Sequence, residues 1–333
     1  MDARRVVVIG PLNMDLFMRG SAPLERDALN AWVGPSEVEL LVAGSIGYTV
    51  QVFARLGWHV DVCSTVGSDA FGSAIRYELE ARGIDCRFLA RADGVTAIAI
   101  YVMLFGGIKR PMTYRLPGFE PWPDPPPPIE LDDAPDEPAL ALLHSGGLLH
   151  FPGMWRRGMA EVFARAQARG VMTSIDPQFP LSDTAAPWLP HIADVVRHAD
   201  VLLCDENEGR MLFEQTAVEA MIEAGLAAGP RIVAVKRGAA GAVVGDGTTM
   251  VYQPAATVDQ AKVREAVGAG DAFDAAFLDA LSSGTDLAGA ARFATACAAL
   301  SLSGRGGAEA IAGQAGVEAA LALVPPATVR SWP

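Results

Sequence analysis

From about residue 140 the sequence switches regularly between short β-branched runs and stretches with apolar residues at helical spacing. Residues 148–151, 171–175, 201–203, 232–235 and 242–244 read as strands. Residues 156–167, a run ending at 193–198, and 206–213 read as helices. Strand–helix alternation predicts a parallel sheet covered on both faces. In such sheets ligands collect beyond the carboxyl ends of the strands. Polar residues stand at several of those ends: Asp176 after Ile175, Asp205 and Glu208 after Leu203, and Lys236 after Val235. Upstream, a strand over residues 6–9 is closed by Gly10-Pro11, a helix over 47–56 ends at Gly57, and a strand covers 60–66. Residues 16–43 and 96–116 mix apolar and polar residues in short alternating stretches, the pattern of half-exposed strands. Residues 117–138 include four prolines in a row, Pro125 to Pro128, and cannot enter a helix or sheet interior. They read as an extended surface connection. A chain of 333 residues that is 51% hydrophobic can fill one large core. Residues 1–333 are therefore expected to form a single domain.

The turn Gly268-Ala269-Gly270-Asp271 runs into Ala272, Phe273, Ala276, Phe277, Ala280 and Leu281, spaced as on a buried helix, and Ser282-Ser283-Gly284 ends the run. The first amides of such a helix, those of Ala269, Gly270 and Asp271, lack intrahelical acceptors and attract anions, phosphate included. A carboxylate beside an anion cradle is what phosphoryl transfer to a hydroxyl needs. The amides hold the moving group and the carboxylate takes the hydroxyl proton. The plain alternative is an acidic cap on a core helix. A helix N-terminus favours the charged form, so Asp271 is expected to be ionised at pH 7.

Net charge is −13, with 26 basic and 39 acidic residues and no Lys/Arg-rich stripe. Nucleic acid and anionic membrane surfaces are poor partners for such a chain. No apolar run approaches the roughly 20 residues that span a bilayer. Arg4-Arg5 followed by four apolar residues has the look of a signal peptide, but Gly10-Pro11 and Asp15 stop it. Cys63, Cys86, Cys204 and Cys297 are scattered, which suits a reducing, cytoplasmic location. The five histidines have no metal-ligand spacing; His59, His191 and His198 read as surface or satisfied core residues. Walker A, post-strand GxGxxG, HExxH and GxSxG patterns are all missing.

Several features then occur in a fixed order: Gly10-Pro11-Leu12-Asn13-Met14-Asp15; Ala43-Gly44-Ser45 before a helix ending Arg55-Leu56-Gly57; Val66-Gly67-Ser68-Asp69-Ala70-Phe71-Gly72; Asp176-Pro177; Asp205-Glu206-Asn207-Glu208; Lys236-Arg237-Gly238-Ala239-Ala240-Gly241; and the Gly268–Asp271 turn with Phe273. From about residue 5 to 310 the set resembles the ribokinase-like, or phosphofructokinase-B, family of sugar and nucleoside kinases. The resemblance implies an α/β fold, a three-layer α/β/α sandwich with a mostly parallel sheet and a small β-sheet lid, here built from strands within 12–43 and 96–116. It implies transfer of the γ-phosphate of ATP, with Mg2+, to a hydroxymethyl group of a sugar or nucleoside. In that reading Asp271 is the base, and Gly268, Ala269 and Gly270 form the anion hole. Asn13 and Asp15 bind sugar hydroxyls, and Gly44 and Ser45 let the sugar approach the backbone. Glu208 orders water around Mg2+. Asp205, Lys236, Gly238 and Gly241 lie by the nucleotide phosphates, and Gly306, within 304–307, lies beside the adenine. A homodimer through paired lids is the expected assembly.

Three positions depart from the family's pattern. Tyr48 stands where relatives carry a sugar-binding Asn, Asp205 replaces the Asn of N-x-x-E, and Glu265-Ala266-Val267 replaces the Asp-Thr-Thr before the turn. The last change leaves monovalent-cation (K+) activation open. Plain readings stand beside the functional ones: a strand-to-loop turn for Asn13 and Asp15, a solvated helix position for Glu208, a surface lysine for Lys236, ordinary core for Tyr48. Arg115 is either a lid contact for an acidic substrate or a surface arginine. The competing class is a catalytically degenerate sugar- or nucleotide-binding protein of the same fold.

Overall fold

A computed structural model describes residues 4–35, 37–104, 112–115, 138–156, 158–181 and 184–332. The proline-rich segment lies outside the described residues except for Pro138. In chain order the elements are β1 (Arg5–Ile9), β2 (Leu12–Arg19), α1 (Arg26–Ala31), β3 (Glu37–Gly44), α2 (Gly47–Arg55), β4 (His59–Gly67), α3 (Ala70–Glu80), β5 (Asp85–Ala92), β6 (Ile98–Met103), β7 (Met112–Arg115) and β8 (Leu140–Gly146). Then follow α4 (Pro152–Arg156), α5 (Met159–Ala168), β9 (Met172–Asp176), α6 (Leu189–Val196), β10 (Val201–Asp205), α7 (Glu206–Phe213), α8 (Val218–Ala227), β11 (Ile232–Lys236), β12 (Ala242–Gly245) and β13 (Thr249–Gln253). The C-terminal part holds α9 (Ala269–Ser282), α10 (Leu287–Ser301), α11 (Gly313–Ala320) and β14 (Thr328–Ser331).

Among the described residues ten strands form one sheet in the order β14-β13-β12-β11-β10-β9-β8-β1-β4-β5. The pairs from β11 to β5 are parallel, and the three at the β14 end are antiparallel. Val6 to Ile9 are all buried, as expected for a parallel strand covered on both faces. One apolar cluster joins α2, α9 and α10 on one side of the sheet, and a second joins α5, α6 and α8 on the other. Helix α9 is buried nearly all round, from Ala272 to Ala280, which is the composition of a core helix rather than an amphipathic one. No helix among the described residues is long and apolar enough to cross a membrane.

Register decides where the polar strand ends meet. Gly146 stands opposite Asp176, and Asp205 opposite Lys236, along one edge of the sheet. A separate four-stranded sheet, β3-β2-β6-β7, stands near that edge. Its strand β2 runs antiparallel to β3, with Asp15 opposite Leu41, and parallel to β6, with Asp15 opposite Ala99. Short helix α1 interrupts the stretch expected to be all strand.

Two expected boundaries were wrong. Residues 148–151 do not form a strand. The strand is Leu140–Gly146, and Leu148–His150 is a 3-10 turn entered through Gly147 at φ 68°. Its two leucines are apolar because they are buried, not because they are extended. Helix α5 starts at Met159 rather than 156, because Gly158 at φ 74° breaks it from α4.

Candidate active site

Helix α9 begins at Gly268, whose φ of 84° is one that L side chains rarely adopt. The Ala269 amide donates to the Ala266 carbonyl at 3.3 Å, and that of Ala272 to Gly268 at 2.9 Å. Of the three amides expected to be free, Ala269 is thus partly used. Those of Gly270 and Asp271 make no backbone hydrogen bond among the described residues. Such a pair of donors at a helix end is an anion site.

Asp271, in the first turn, accepts a 2.9 Å hydrogen bond from Thr49 Oγ1 on α2. The helix end is expected to keep this carboxyl ionised at pH 7, and burial opposes that, leaving it only partly ionised there. Desolvation pushes Asp271 up to about 7, against the opposing pull of the Lys236 ammonium. Asp271 opens onto a cavity of about 580 Å3 that is also lined by Asn13, Asp15, Gly44, Ser45 and Tyr48.

The sugar-side candidates form one hydrogen-bonded group. Asn13 Nδ2 donates to Asp15 Oδ1 at 2.7 Å, and Tyr48 Oη donates to Asp15 Oδ2 at 2.9 Å. Burial and the Asp15 charge raise the Tyr48 phenol well above its usual pKa, so it stays a donor. The Tyr48 ring forms a wall against the Gly268 turn. A Cβ on Gly268 would come 3.1 Å from it, and one on Gly306 2.8 Å. Gly44, at φ 97°, lines the cavity, and a Cβ there would also meet the Pro11 carbonyl at 2.5 Å. Its close approach is to β2, within the chain. Ser45 Oγ is paired with His150 Nδ1 at 2.8 Å. Arg115 lies in β7, and its side chain is outside the described residues.

At the sheet edge, Lys236 is not a surface lysine. Its Nζ contacts Asp176 Oδ2 at 2.9 Å and both oxygens of Asp274 at 2.9 and 2.7 Å. Burial alone would lower its pKa, but the two carboxylates more than offset that and raise it, so it remains an ammonium. Asp205 and Glu208 form a capping box on α7: the Glu208 amide donates to Asp205 Oδ1 at 2.8 Å, and the Asp205 amide to Glu208 Oε2 at 2.7 Å. Asn and Asp are equally good N-caps, which explains the exchange at position 205. Burial, reinforced by Asp176, pushes Glu208 up to about 8. Gly238, at φ 54°, has open space around it, whereas a Cβ on Gly241 would strike the Gln253 carbonyl at 2.0 Å. Gly306 donates its amide to Glu265 Oε1 at 3.0 Å, and Gly307 packs on Gly268. Glu265, the residue at the altered cation position, is buried and ion-paired with Arg19 of β2.

Four site residues escape sequence reading. His150 lines the cavity from the 3-10 turn, its ring edge to Phe179 at 5.1 Å. Gln178 lines it with φ 53°, a rare conformation for a non-glycine and one that clusters at functional sites. Thr49 and Asp274 complete the set. The sole sequence signal for Asp274 is a carboxylate three residues after Asp271 inside an apolar helix.

The residues present fit a magnesium–nucleotide. The free amides and the Lys236 ammonium would meet phosphate oxygens, and the space around Gly238 leaves room. No three His, Cys, Asp or Glu among the described residues are grouped to hold a metal by themselves. That suits Mg2+, which takes one or two carboxylates and completes its shell with phosphate and water.

Comparison with known proteins agrees with this geometry. Residues 3–312 match the pfkB family carbohydrate kinase domain. The chain is 25% identical to a ribokinase of Bacillus subtilis over 303 residues, covering 90% of this chain and 93% of that protein. It is 27% identical to an ATP-dependent ribose-1-phosphate kinase of Halopiger xanaduensis over 308 residues, covering 91% and 93%. The crystal structure of a putative ribokinase II from E. coli in complex with ATP and Mg2+ superposes with a TM-score of 0.74 at 21% identity, over 96% of this chain and 99% of that one. The chain belongs to the pfkB family and is a carbohydrate kinase.

Proposed function

We propose that this kinase transfers the γ-phosphate of ATP to a hydroxymethyl group of a neutral acceptor with a planar portion, a nucleoside above all, with Asp271 as general base. The observation that carries the reading is the meeting of three groups around one cavity. These are the Asp271 carboxyl, the Asn13–Asp15–Tyr48 set, and a helix end whose Gly270 and Asp271 amides make no backbone–backbone hydrogen bond. In the reaction the acceptor hydroxyl gives its proton to Asp271, its oxygen forms the new bond to phosphorus, and the bond to ADP breaks. A loose transition state needs little deprotonation, so a carboxyl near 7 is a suitable base. Mg2+, held through water at Glu208, would neutralise phosphate charge.

Among the described residues lining the cavity there is no Lys or Arg. Among these described residues Asp15 and Asp271 give the cavity a negative lining, which favours a neutral acceptor over a phosphorylated one. Both oxygens of Asp15 already accept hydrogen bonds, so a free pentose finds fewer acceptors there. Each unmatched hydroxyl costs about 1–3 kcal/mol. Tyr48, Tyr101 and Phe151 supply planar surface instead. The competing binding-protein reading rested on Tyr48 and Asp205. Each now has a structural explanation that leaves the base and its amides in place.

The small sheet is the lid in this reading, and one of its faces carries the dimer contact. Leu16, Met18, Val38, Leu40, Ile100 and Val102 share that face by register. The buried thiols fit a cytoplasmic site of action. Arg19 already matches the Glu265 charge, so rates in KCl, NaCl and choline chloride should agree within twofold. The test of the function is ADP release from Mg-ATP with adenosine, cytidine, fructose, ribose and ribose 1-phosphate. A nucleoside should exceed ribose at least tenfold in kcat/KM. A preference for ribose or ribose 1-phosphate overturns the acceptor class, and no ADP release with any acceptor overturns the kinase mechanism.

A further inference from the structure

Lys236, Asp176 and Asp274 come from β11, β9 and α9 and are 13%, 6% and 2% exposed at their side chains. Two buried carboxylates around one buried ammonium are a poor way to stabilise a fold. Desolvation of the charges offsets most of their attraction, and apolar side chains often do as well. A spare carboxylate beside an anion-binding helix end would also repel the anion. The position of the ammonium removes this difficulty. A Cβ on Gly270 would lie 3.7 Å from Lys236 Nζ, so the charge stands at the first turn of α9, next to the Gly270 and Asp271 amides that have no backbone acceptor. Asp274 is three residues after Asp271 and therefore on the same helix face. The cation is thus held at the mouth of the anion site by a carboxylate rooted in the same helix. An ammonium is a compact charge with three donors and turns from one oxygen to another without leaving its place.

We infer that Lys236 is a catalytic residue that contacts the terminal phosphate of the nucleoside triphosphate. Asp274, with Asp176, is its positioning residue, and Lys236 and Asp274 are a matched pair. The inference rests on the kinase reading and extends it to a residue that senses the third phosphate. Without Lys236 the buried Asp274 carboxyl would face the incoming phosphate with no counter-ion. Removing both partners should therefore harm nucleotide binding less than removing Lys236 alone.

The test is calorimetric binding of ATP, ADP and AMP, with magnesium and without acceptor, to wild type, Lys236→Gln, Asp274→Asn and the double variant. Loss of one charge-assisted contact corresponds to about 10–100-fold in affinity. Lys236→Gln should weaken ATP by that factor, ADP by less than threefold, and AMP not at all. Asp274→Asn should reduce the preference for ATP over ADP at least threefold. The double variant should recover at least threefold of the ATP affinity lost in Lys236→Gln. If Lys236→Gln does not fold, the double variant carries the comparison: it should fold and lose the ATP preference about tenfold. Equal losses for all three nucleotides, or ATP binding at the wild-type level in Lys236→Gln or in the double variant, overturn the role of Lys236. Additive effects in the double variant overturn the matched pair. A wild type that binds none of the three nucleotides overturns the kinase reading itself, and the inference with it.

Discussion

Asp271 is held between two opposing influences, and burial wins over the helix end. With its carboxyl at about 7, it is protonated below that pH and cannot accept the hydroxyl proton. We expect log kcat/KM to fall with unit slope as pH drops below about 7 and to level off above it; a profile flat down to pH 5 would show that Asp271 is not the base. Asp271→Asn keeps the shape and the amides. It should reduce kcat by roughly 10²–10⁴-fold while ATP still binds, and a variant turning over at the wild-type rate would end the assignment. Tyr48 makes a different prediction. Tyr48→Asn removes the bond to Asp15 Oδ2 and the ring wall against Gly268 and Gly306. The kcat/KM ratio of ribose to nucleoside should rise at least threefold. An unchanged ratio would make Tyr48 plain packing.

At the scale of the element, helix ends position most of the site. Helix α7 starts with a capping box, and α9 starts at a glycine in a left-handed conformation. Asp205→Asn should leave stability within a few tenths of a kcal/mol, whereas Asp205→Ala should cost about 1 kcal/mol in denaturant titration. A large loss for Asn would mean that Asp205 does more than cap. Gly268→Ala places a methyl 3.0 Å from Gly307 Cα and 3.1 Å from the Tyr48 ring, at a φ that disfavours alanine by roughly 1–2 kcal/mol. Both stability and kcat/KM should fall, the latter at least tenfold, because the turn and the acceptor wall move together. A variant with normal turnover would show that the turn tolerates the shift.

For the whole molecule, the question is how the small sheet is held and what covers it. Its inner side is tied by ion pairs to the segments before α9 and after α10: Arg19 with Glu265, and Arg264 and Arg305 with Glu39. Its outer face exposes Val38 at 58% and Leu40 at 52%. Apolar surface is what a subunit contact buries, and this face is the one proposed for the homodimer. Light scattering at micromolar concentration should give twice the chain mass, and Leu40→Asp with Val38→Asp should give the monomer. A wild-type monomer would rule the dimer out.

The α7 boundaries, the apolar course of α9 and the polar ends of β9, β10 and β11 were legible along the chain, because side-chain period and local turn chemistry are written in neighbouring residues. The order of motifs likewise pointed to the family before any contact was known. The Tyr48–Asp15 bond, the Ser45–His150 pair and the Asp176–Lys236–Asp274 group were not legible. Their members stand 33, 105 and, for the two Lys236 contacts, 60 and 38 residues apart, and strand register and helix packing alone bring them together. The same holds for Asp271. Its local sequence argues for a low pKa, and its surroundings, contributed by distant segments, raise it to about 7. Sequence determined where helix α9 starts and that its first turn carries a carboxylate; tertiary structure decided which of its first amides stay without a backbone partner and which charges surround them, because hydrogen bonding, desolvation and Coulomb energy depend on distance in space rather than along the chain.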